Sequence, residues 1–191
     1  MKNKAPTKDE IIHLLRKYKI PFEFWNGQSG KNIDDLVRSI YSGEVTLEAM
    51  SDGLIQHVNV AVVTVRFLLD GQWLELREDR QEFPDGTVKC RKFSGSLGEK
   101  IRGNETPLKA AKRGLIEELG FPTHIKYRMV SGKIEVTPRR ISDWYSGLTD
   151  VYHRHHFLCV IPPELYKPEY VELYLNKRIY FKWIPITLPP A

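Results

Sequence analysis

Within residues 98–121, GEKIRGNETPLKAAKRGLIEELGF, stand the side chains that could do chemistry: Glu99, Glu105, Arg113, Glu117 and Glu118. The adjacent carboxylates of Glu117 and Glu118 fall in what reads as the last turn of a helix. That turn already presents partial negative charge, so each carboxylate costs a few tenths to about 1 kcal/mol there. Something positive should compensate. One answer is a solvated face with an Arg113–Glu117 pair at i,i+4 spacing. The other is a divalent cation such as Mg²⁺, which takes carboxylate oxygens and keeps positions open for phosphate oxygens.

The element that must hold these groups is a helix with well-marked ends. Thr106 is a good N-cap, and Pro107 fits the first helical position, where a missing N–H costs nothing. Gly120 can take the left-handed conformation that ends a helix, and Pro122 prevents resumption. At about 100° per residue, Leu108, Ala111, Leu115 and Leu119 form one apolar stripe with Ile116 on its flank. Arg113, Glu117 and Glu118 then face the other way.

The same stretch resembles a Nudix box, whose usual form is G-x5-E-x7-R-E-U-x-E-E-x-G-U, with U a bulky aliphatic residue. Glu105, Arg113, Leu115, Glu117, Glu118, Gly120 and Phe121 match at the right spacing, Phe121 loosely. The resemblance implies a Nudix-like α/β fold, an α/β/α sandwich around a mixed β-sheet. It also implies a metal-dependent hydrolase that cleaves a diphosphate linkage in a nucleoside diphosphate derivative. Mg²⁺ (or Mn²⁺) is the implied cofactor. Glu117 and Glu118 would hold the ion, with Glu105 and the backbone carbonyl of Gly98 nearby. Arg113 would be structural, bracing the loop by pairing with Glu105. The chemistry agrees with this reading: a phosphoryl centre ringed by anionic oxygens needs cations and a positioned water.

Two positions depart from the pattern. Glu99 stands where the first glycine is expected, with Gly98 one residue earlier, and Gly114 replaces the glutamate after the arginine. On the helix, position 114 lies one turn before Glu117 and Glu118 and angularly between them. A glycine there also weakens a helix interior by about 1 kcal/mol relative to alanine. Either Glu99 supplies the missing oxygen from the loop, as ligand or base, or metal binding and hydrolysis are impaired. In the second case the domain binds a nucleotide or phosphorylated ligand as a sensor or partner-binding module. The general base is unassigned.

Other candidates lie outside the box. Arg77, Arg80, Arg91 and Lys92 flank the hairpins before it, and arginine offers a planar fork for phosphate. Arg91, leading directly into residues 95–98, is the strongest of them, with Arg77 second. Trp144 and Tyr145 could stack a base, against ordinary loop packing as the alternative. Tyr152, His153, His155 and His156 invite a metal reading, but strand alternation puts His153 and His155 on one face and His156 on the other. A structural or surface role suits them better. In the Nudix family a proline some distance after the box marks many ADP-ribose hydrolases, and a tyrosine there marks many dinucleoside polyphosphate hydrolases. Pro138 stands near that distance but is one proline of twelve, so the substrate subclass stays open.

The rest of the chain must position this stretch. Its 191 residues suit one domain with an appendage: a helical N-terminal extension over 1–53 and a Nudix-like domain over 54–191. In the extension, Thr7 and Glu10 make a capping box, and Asn32 caps a second helix bearing Ile33, Leu36, Val37 and Ile40. Residues 46–50 could add a further helical turn. Each helix is apolar on one side only, so the extension is a small cap, a homodimer contact or a lid. The glycine-bearing run at 27–31, GQSGK, lacks the spacing of a phosphate-binding loop. VNVAVVTVRFLL reads as a buried strand, and Asp70-Gly71 and Asp85-Gly86 as hairpin turns. After the box, 124–136 reads as a strand, 139–150 as an irregular loop, HRHHFLCVIPP as a strand, 169–175 as a short helix and IYFKWIPI as the closing strand.

Composition is ordinary for a globular protein, 41% hydrophobic and 28% charged. No apolar run approaches the ~20 residues of a membrane span, and the first residues carry no hydrophobic signal core, which points to the cytoplasm. The net charge of +5 suits a nucleotide-type small molecule as readily as nucleic acid. Cys90 and Cys159 read as small buried residues inside strands.

Overall fold

A computed structural model describes residues 6–25, 31–90 and 95–187. The fold is α/β: a mixed sheet with three α-helices among the described residues, two of them in the N-terminal segment. Chain contacts divide it into two compact units. The first comprises Met1–Val60, Lys100–Glu105 and Glu135–Arg154; the second comprises Ala61–Glu99, Thr106–Ile134 and His155–Ala191.

In the first unit, α1 (Lys8–Lys17) starts at the expected capping box. Thr7 Oγ1 accepts from the Glu10 N–H at 3.2 Å, and Glu10 Oε2 accepts from the Thr7 N–H at 2.6 Å. Asn32 caps α2 (Ile33–Tyr41) in the same manner through Asp35. Both helices turn their apolar stripes inward: Ile11, Leu15, Leu36 and Val37 are buried with Trp25, Val45, Leu54, Val58, Tyr145 and Leu148. The N-terminal helices therefore share a core with residues near 45–58 and 145–148.

The helical turn expected at 46–50 is instead β1 (Val45–Met50), paired antiparallel with the start of β2 (Gly53–Leu69) from Val45↔Val58 to Met50↔Gly53. Leu47, Glu48, Ala49 and Met50 are good helix formers, but the open edge of a long strand offers each backbone group a partner. Pairing overrides the weak local preference.

In the second unit β2 continues as the buried strand the sequence suggests, with Ala61, Val62, Val63 and Val65 all buried. It turns through Asp70-Gly71 into β3 (Gln72–Glu82), with Leu69 opposite Gln72 and positive φ at both turn residues, as a two-residue hairpin requires. The second Asp-Gly turn leads into the short β4 (Val88–Lys89). After β5 (Leu97–Lys100) and α3 (Pro107–Leu119) come β6 (Arg128–Val136), the short β7 (Arg140–Ile141), β8 (Thr149–Val160), β9 (Glu169–Tyr174) and β10 (Lys177–Pro185). Strand order is β6-β8-β2-β3-β10-β9. Strand β8 runs parallel to β2, since His153 bonds His57 and, further along both strands, the Ile161 N–H donates to the Arg66 carbonyl. The other registered pairs are antiparallel, which makes the sheet mixed.

Two expectations fail here. Residues 169–175 form β9 and not a helix. The alternation of Glu169-Tyr170-Val171-Glu172 has period two, with Tyr170 buried and Val171 exposed, and the strand hydrogen-bonds β10 from Tyr174↔Lys177 to Glu169↔Lys182. Strand β10 is consequently interior to the sheet, and β9 is the edge. Cys90 is exposed and lies just past β4, whereas Cys159 is buried, its thiol pushed up to about 12 by desolvation.

Helix α3 has the ends the sequence marks. Thr106 Oγ1 accepts from the Lys109 N–H at 3.3 Å, Pro107 opens the helix, and Gly120 closes it at φ 67. Thr106→Ala should cost about 1 kcal/mol of stability, read as a lowered urea midpoint with an unchanged slope. The buried face is rotated from the expected stripe: Ala110, Ala111, Gly114, Leu115 and Leu119 are buried, while Leu108 and Ile116 are about 40% exposed. Small residues at 110, 111 and 114 bring the helix backbone close to its neighbours, which moves the contact line toward them.

Candidate functional site

The rotation of α3 sets the geometry of the acidic stretch in the second unit. Arg113 Nη1 lies 2.6 Å from Glu99 Oε1 on β5 and 3.3 Å from Glu117 Oε2 one turn along the helix. The Arg113 and Glu99 side chains are only 16% and 15% exposed. Their ion pair is sheltered from screening, whereas the Glu117 carboxylate is 49% exposed and its pair is worth about 0.3–0.5 kcal/mol. Arg113 thus ties β5 to α3 through Glu99, whereas the sequence suggested Glu105 as its partner. The Glu105 carboxylate belongs to the first unit, where it accepts from the Arg102 N–H at 3.2 Å inside the turn that precedes α3.

Gly114 is buried against β5. A Cβ at that position would stand 2.9 Å from Leu97 Cδ1, 3.1 Å from Glu99 Cβ and 3.6 Å from Glu118 Oε1. The place of the box's second glutamate is therefore filled from the strand side by Leu97 and Glu99. Glu118 lies beside that place, half-buried, and Gly98 is exposed on β5.

Glu117 and Glu118 offer hard oxygen donors on adjacent residues. Mg²⁺ is commonly held by one or two carboxylates, with water and phosphate oxygens completing the octahedron, so the donor chemistry fits. Among the described residues no group of three or more His, Cys, Asp or Glu side chains is arranged to hold a metal ion. Two carboxylates would suit a sparsely held ion and not a protein cage.

The remaining sequence candidates are scattered. Arg77 is engaged by Glu75, at 2.8 Å from Nε, and the same buried carboxylate holds Arg66 at 3.0 Å. Arg80 is held by Asp79 and Glu82 and stacks 3.9 Å from the Tyr180 ring. Arg91, Lys92 and residues 27–30 lie outside the described residues. Tyr145 is 3% exposed with its ring 4.9 Å from Trp25, so its face is not open to a base and the stacking role falls away. Trp144 is 45% exposed, with Lys31 Nζ 6.0 Å from its ring centre.

Two polar features of the first unit were not legible in sequence. His57 Nε2 lies 2.6 Å from Glu48 Oε2, and its Nδ1 lies 3.0 Å from His153 Nε2. This chain joins β1, β2 and β8 and gives His153 a structural partner. Asp150 is wholly buried, and neither carboxylate oxygen has a hydrogen bond of good geometry among the described residues. Desolvation raises its pKa, offset in part by the nearby Ser142 and Tyr152 hydroxyls and by Arg140. An acid whose folded pKa lies above its unfolded value near 3.9 keeps a proton in the native state that the unfolded chain releases. Stability should then fall as pH rises above about 4, until the folded pKa is passed. Asp150→Asn should flatten that decline and stabilise the protein at pH 7 by about 1 kcal/mol or more, checked by urea melts across pH 4 to 8.

No helix among the described residues is long and apolar enough to cross a membrane. No family model matches the chain, and no curated protein matches it. Among solved structures, the crystal structure of the C. elegans Ap4A hydrolase is similar over 66% of this chain and 79% of that chain, at 15% identity and a TM-score of 0.36. Likeness at that level identifies neither a fold family nor a function.

Proposed function

We propose that the protein is a Nudix-like hydrolase that uses Mg²⁺ or Mn²⁺ to cleave a diphosphate linkage in a nucleoside diphosphate derivative. The observation that carries this reading is the loop–helix unit built on Arg113. The arginine is held by Glu99 and Glu117, and α3 runs from the Thr106 cap to Gly120 with Glu117 and Glu118 in its last turn. In this reading Glu117 and Glu118 hold the ion, and Glu99 serves as a positioning residue that fixes Arg113. When bound, the cation neutralises phosphate oxygens and lowers the barrier to attack by water. The N-terminal helices over 1–53 are proposed as a cap built into the same fold.

A second reading is favoured by Gly114. With Leu97 and Glu99 filling the place of the third carboxylate, the acidic cluster is reduced and the domain binds a phosphorylated ligand with little turnover. One assay separates the two: incubation with nucleoside diphosphate sugars, ADP-ribose and dinucleoside polyphosphates, with Mg²⁺, Mn²⁺ or EDTA. The hydrolase reading expects release of a nucleoside monophosphate only with metal. Metal-independent binding without release in any combination overturns it in favour of the second.

A further inference from the structure

The end of α2 is fixed by its own backbone. Gly43, at φ 73, donates its N–H to the Ile40 carbonyl, and the Glu44 N–H donates to the Ser39 carbonyl, each at 3.0 Å. These two bonds, just past the Ser42 cap, make a Schellman turn that leaves the Glu44 backbone little freedom. The Glu44 side chain is only 18% exposed. Its carboxylate lies between the Lys100 ammonium, 3.5 Å from Oε2, and Arg102 Nε, 3.4 Å from Oε1. A rigid turn of the N-terminal segment thus holds an acid against the loop that precedes α3.

Backbone packing supports the same contact. A Cβ on Gly43 would stand 2.5 Å from Gly103 Cα and 2.6 Å from its nitrogen, so the α2 turn and the loop meet backbone to backbone. Ile101 is buried and donates its N–H to the Asn59 carbonyl at 2.9 Å. Glu105 closes the loop on itself. Its N–H donates to the Arg102 carbonyl at 2.7 Å, and its carboxylate accepts from the Arg102 N–H at 3.2 Å. Residues 100–105 therefore belong with the N-terminal helices inside the first unit, although 1–53 reads in sequence as a separate extension.

We infer that Glu44 is a positioning residue: held by the α2 turn, its carboxylate latches the 100–105 loop and so fixes Glu105, one residue before the α3 cap. What the loop does rests on the hydrolase reading, in which Glu105 is one of the acids of the metal-binding stretch. What holds the loop does not rest on it. Two partly sheltered ion pairs to one carboxylate should together favour the closed loop about three- to tenfold. An ion that needs the closed loop binds more weakly as the closed fraction falls.

The test is amide hydrogen exchange, read by NMR on the full chain in EDTA. Glu44→Gln should speed exchange at Ile101, Arg102 and Glu105 about three- to tenfold. It should leave the Val65 amide, which bonds Ser96 Oγ, at its native rate and barely move the melting temperature. Glu44→Asp, which keeps the charge, should recover most of the protection. Arg102→Gln should speed the same amides, and should add less to Glu44→Gln than it costs alone. The second readout is turnover of the best substrate of the nucleotide panel with Mn²⁺. Glu44→Gln should need about threefold more Mn²⁺ for half-maximal turnover and keep its kcat at saturating metal. A merely structural role would leave that requirement where it was. Native-like exchange at all three amides in folded Glu44→Gln overturns the latch. Faster exchange with an unchanged Mn²⁺ requirement overturns the positioning role. A native protein without metal-dependent turnover sinks the hydrolase reading and the loop's part in it, while the exchange rates still decide whether Glu44 holds the loop.

Discussion

Glu118→Gln is expected to reduce metal-dependent turnover about a hundredfold or more while leaving the melting temperature within a few degrees of native. Glutamine keeps the volume and one oxygen acceptor but loses the negative charge that a hard divalent cation needs. A hundredfold loss corresponds to about 2.7 kcal/mol of transition-state stabilisation, the scale on which one ligand to a charge-neutralising ion acts. Glu117→Gln should have the smaller effect on turnover if the exposed Arg113–Glu117 pair already offsets part of that residue's charge. The measurement is kcat with saturating Mg²⁺ on the best substrate of the nucleotide panel. Equal kcat for native protein and Glu118→Gln contradicts a role for that carboxylate.

Gly114→Glu should destabilise the protein by about 2–4 kcal/mol and fail to raise turnover, although it restores one of the two positions that depart from the Nudix-type pattern. The residue gains about 1 kcal/mol of helix preference over glycine. Against that, its Cβ enters within 2.9 Å of Leu97 Cδ1, and Leu97 is buried and cannot swing away cheaply. Its carboxylate would also arrive between Glu99 and Glu118, adding like-charge repulsion in a sheltered place. Gly114→Ala separates the two costs: it keeps the steric term without the charge and should lose about 0–2 kcal/mol. Urea melts of both variants test this. A glutamate variant as stable as native, with faster turnover, would show that the strand side yields and that the native glycine only impairs the enzyme.

Much of α3 was legible because its signals are local. Thr106, Pro107 and Gly120 act on backbone groups within four residues of themselves, and the Asp70-Gly71 hairpin is equally self-contained. What failed depended on partners far along the chain. Residues 46–50 take strand geometry because β2 is there to pair with, and 169–174 because β10 is. The buried face of α3 was misplaced at Leu108 because the phase of a helix on a sheet is set by the closest backbone approach. Here that approach comes at Gly114 against Leu97 and Glu99. The acidic residues of the candidate site could be named from spacing alone. Arg113's bond to Glu99 could not, since it needs the loop after β5 to return the helix alongside that strand.

The central claim is that Glu117 and Glu118 hold a divalent cation that in turn holds phosphate. Its most direct test is anomalous diffraction from crystals grown with Mn²⁺ and a non-hydrolysable nucleoside diphosphate analogue. An ion is expected at about 2.1–2.3 Å from carboxylate oxygens of Glu118 and Glu117 and from at least one phosphate oxygen, with Arg113 still bound to Glu99. An analogue bound with no anomalous peak near these carboxylates, and Arg113 still spanning Glu99 and Glu117, would contradict it.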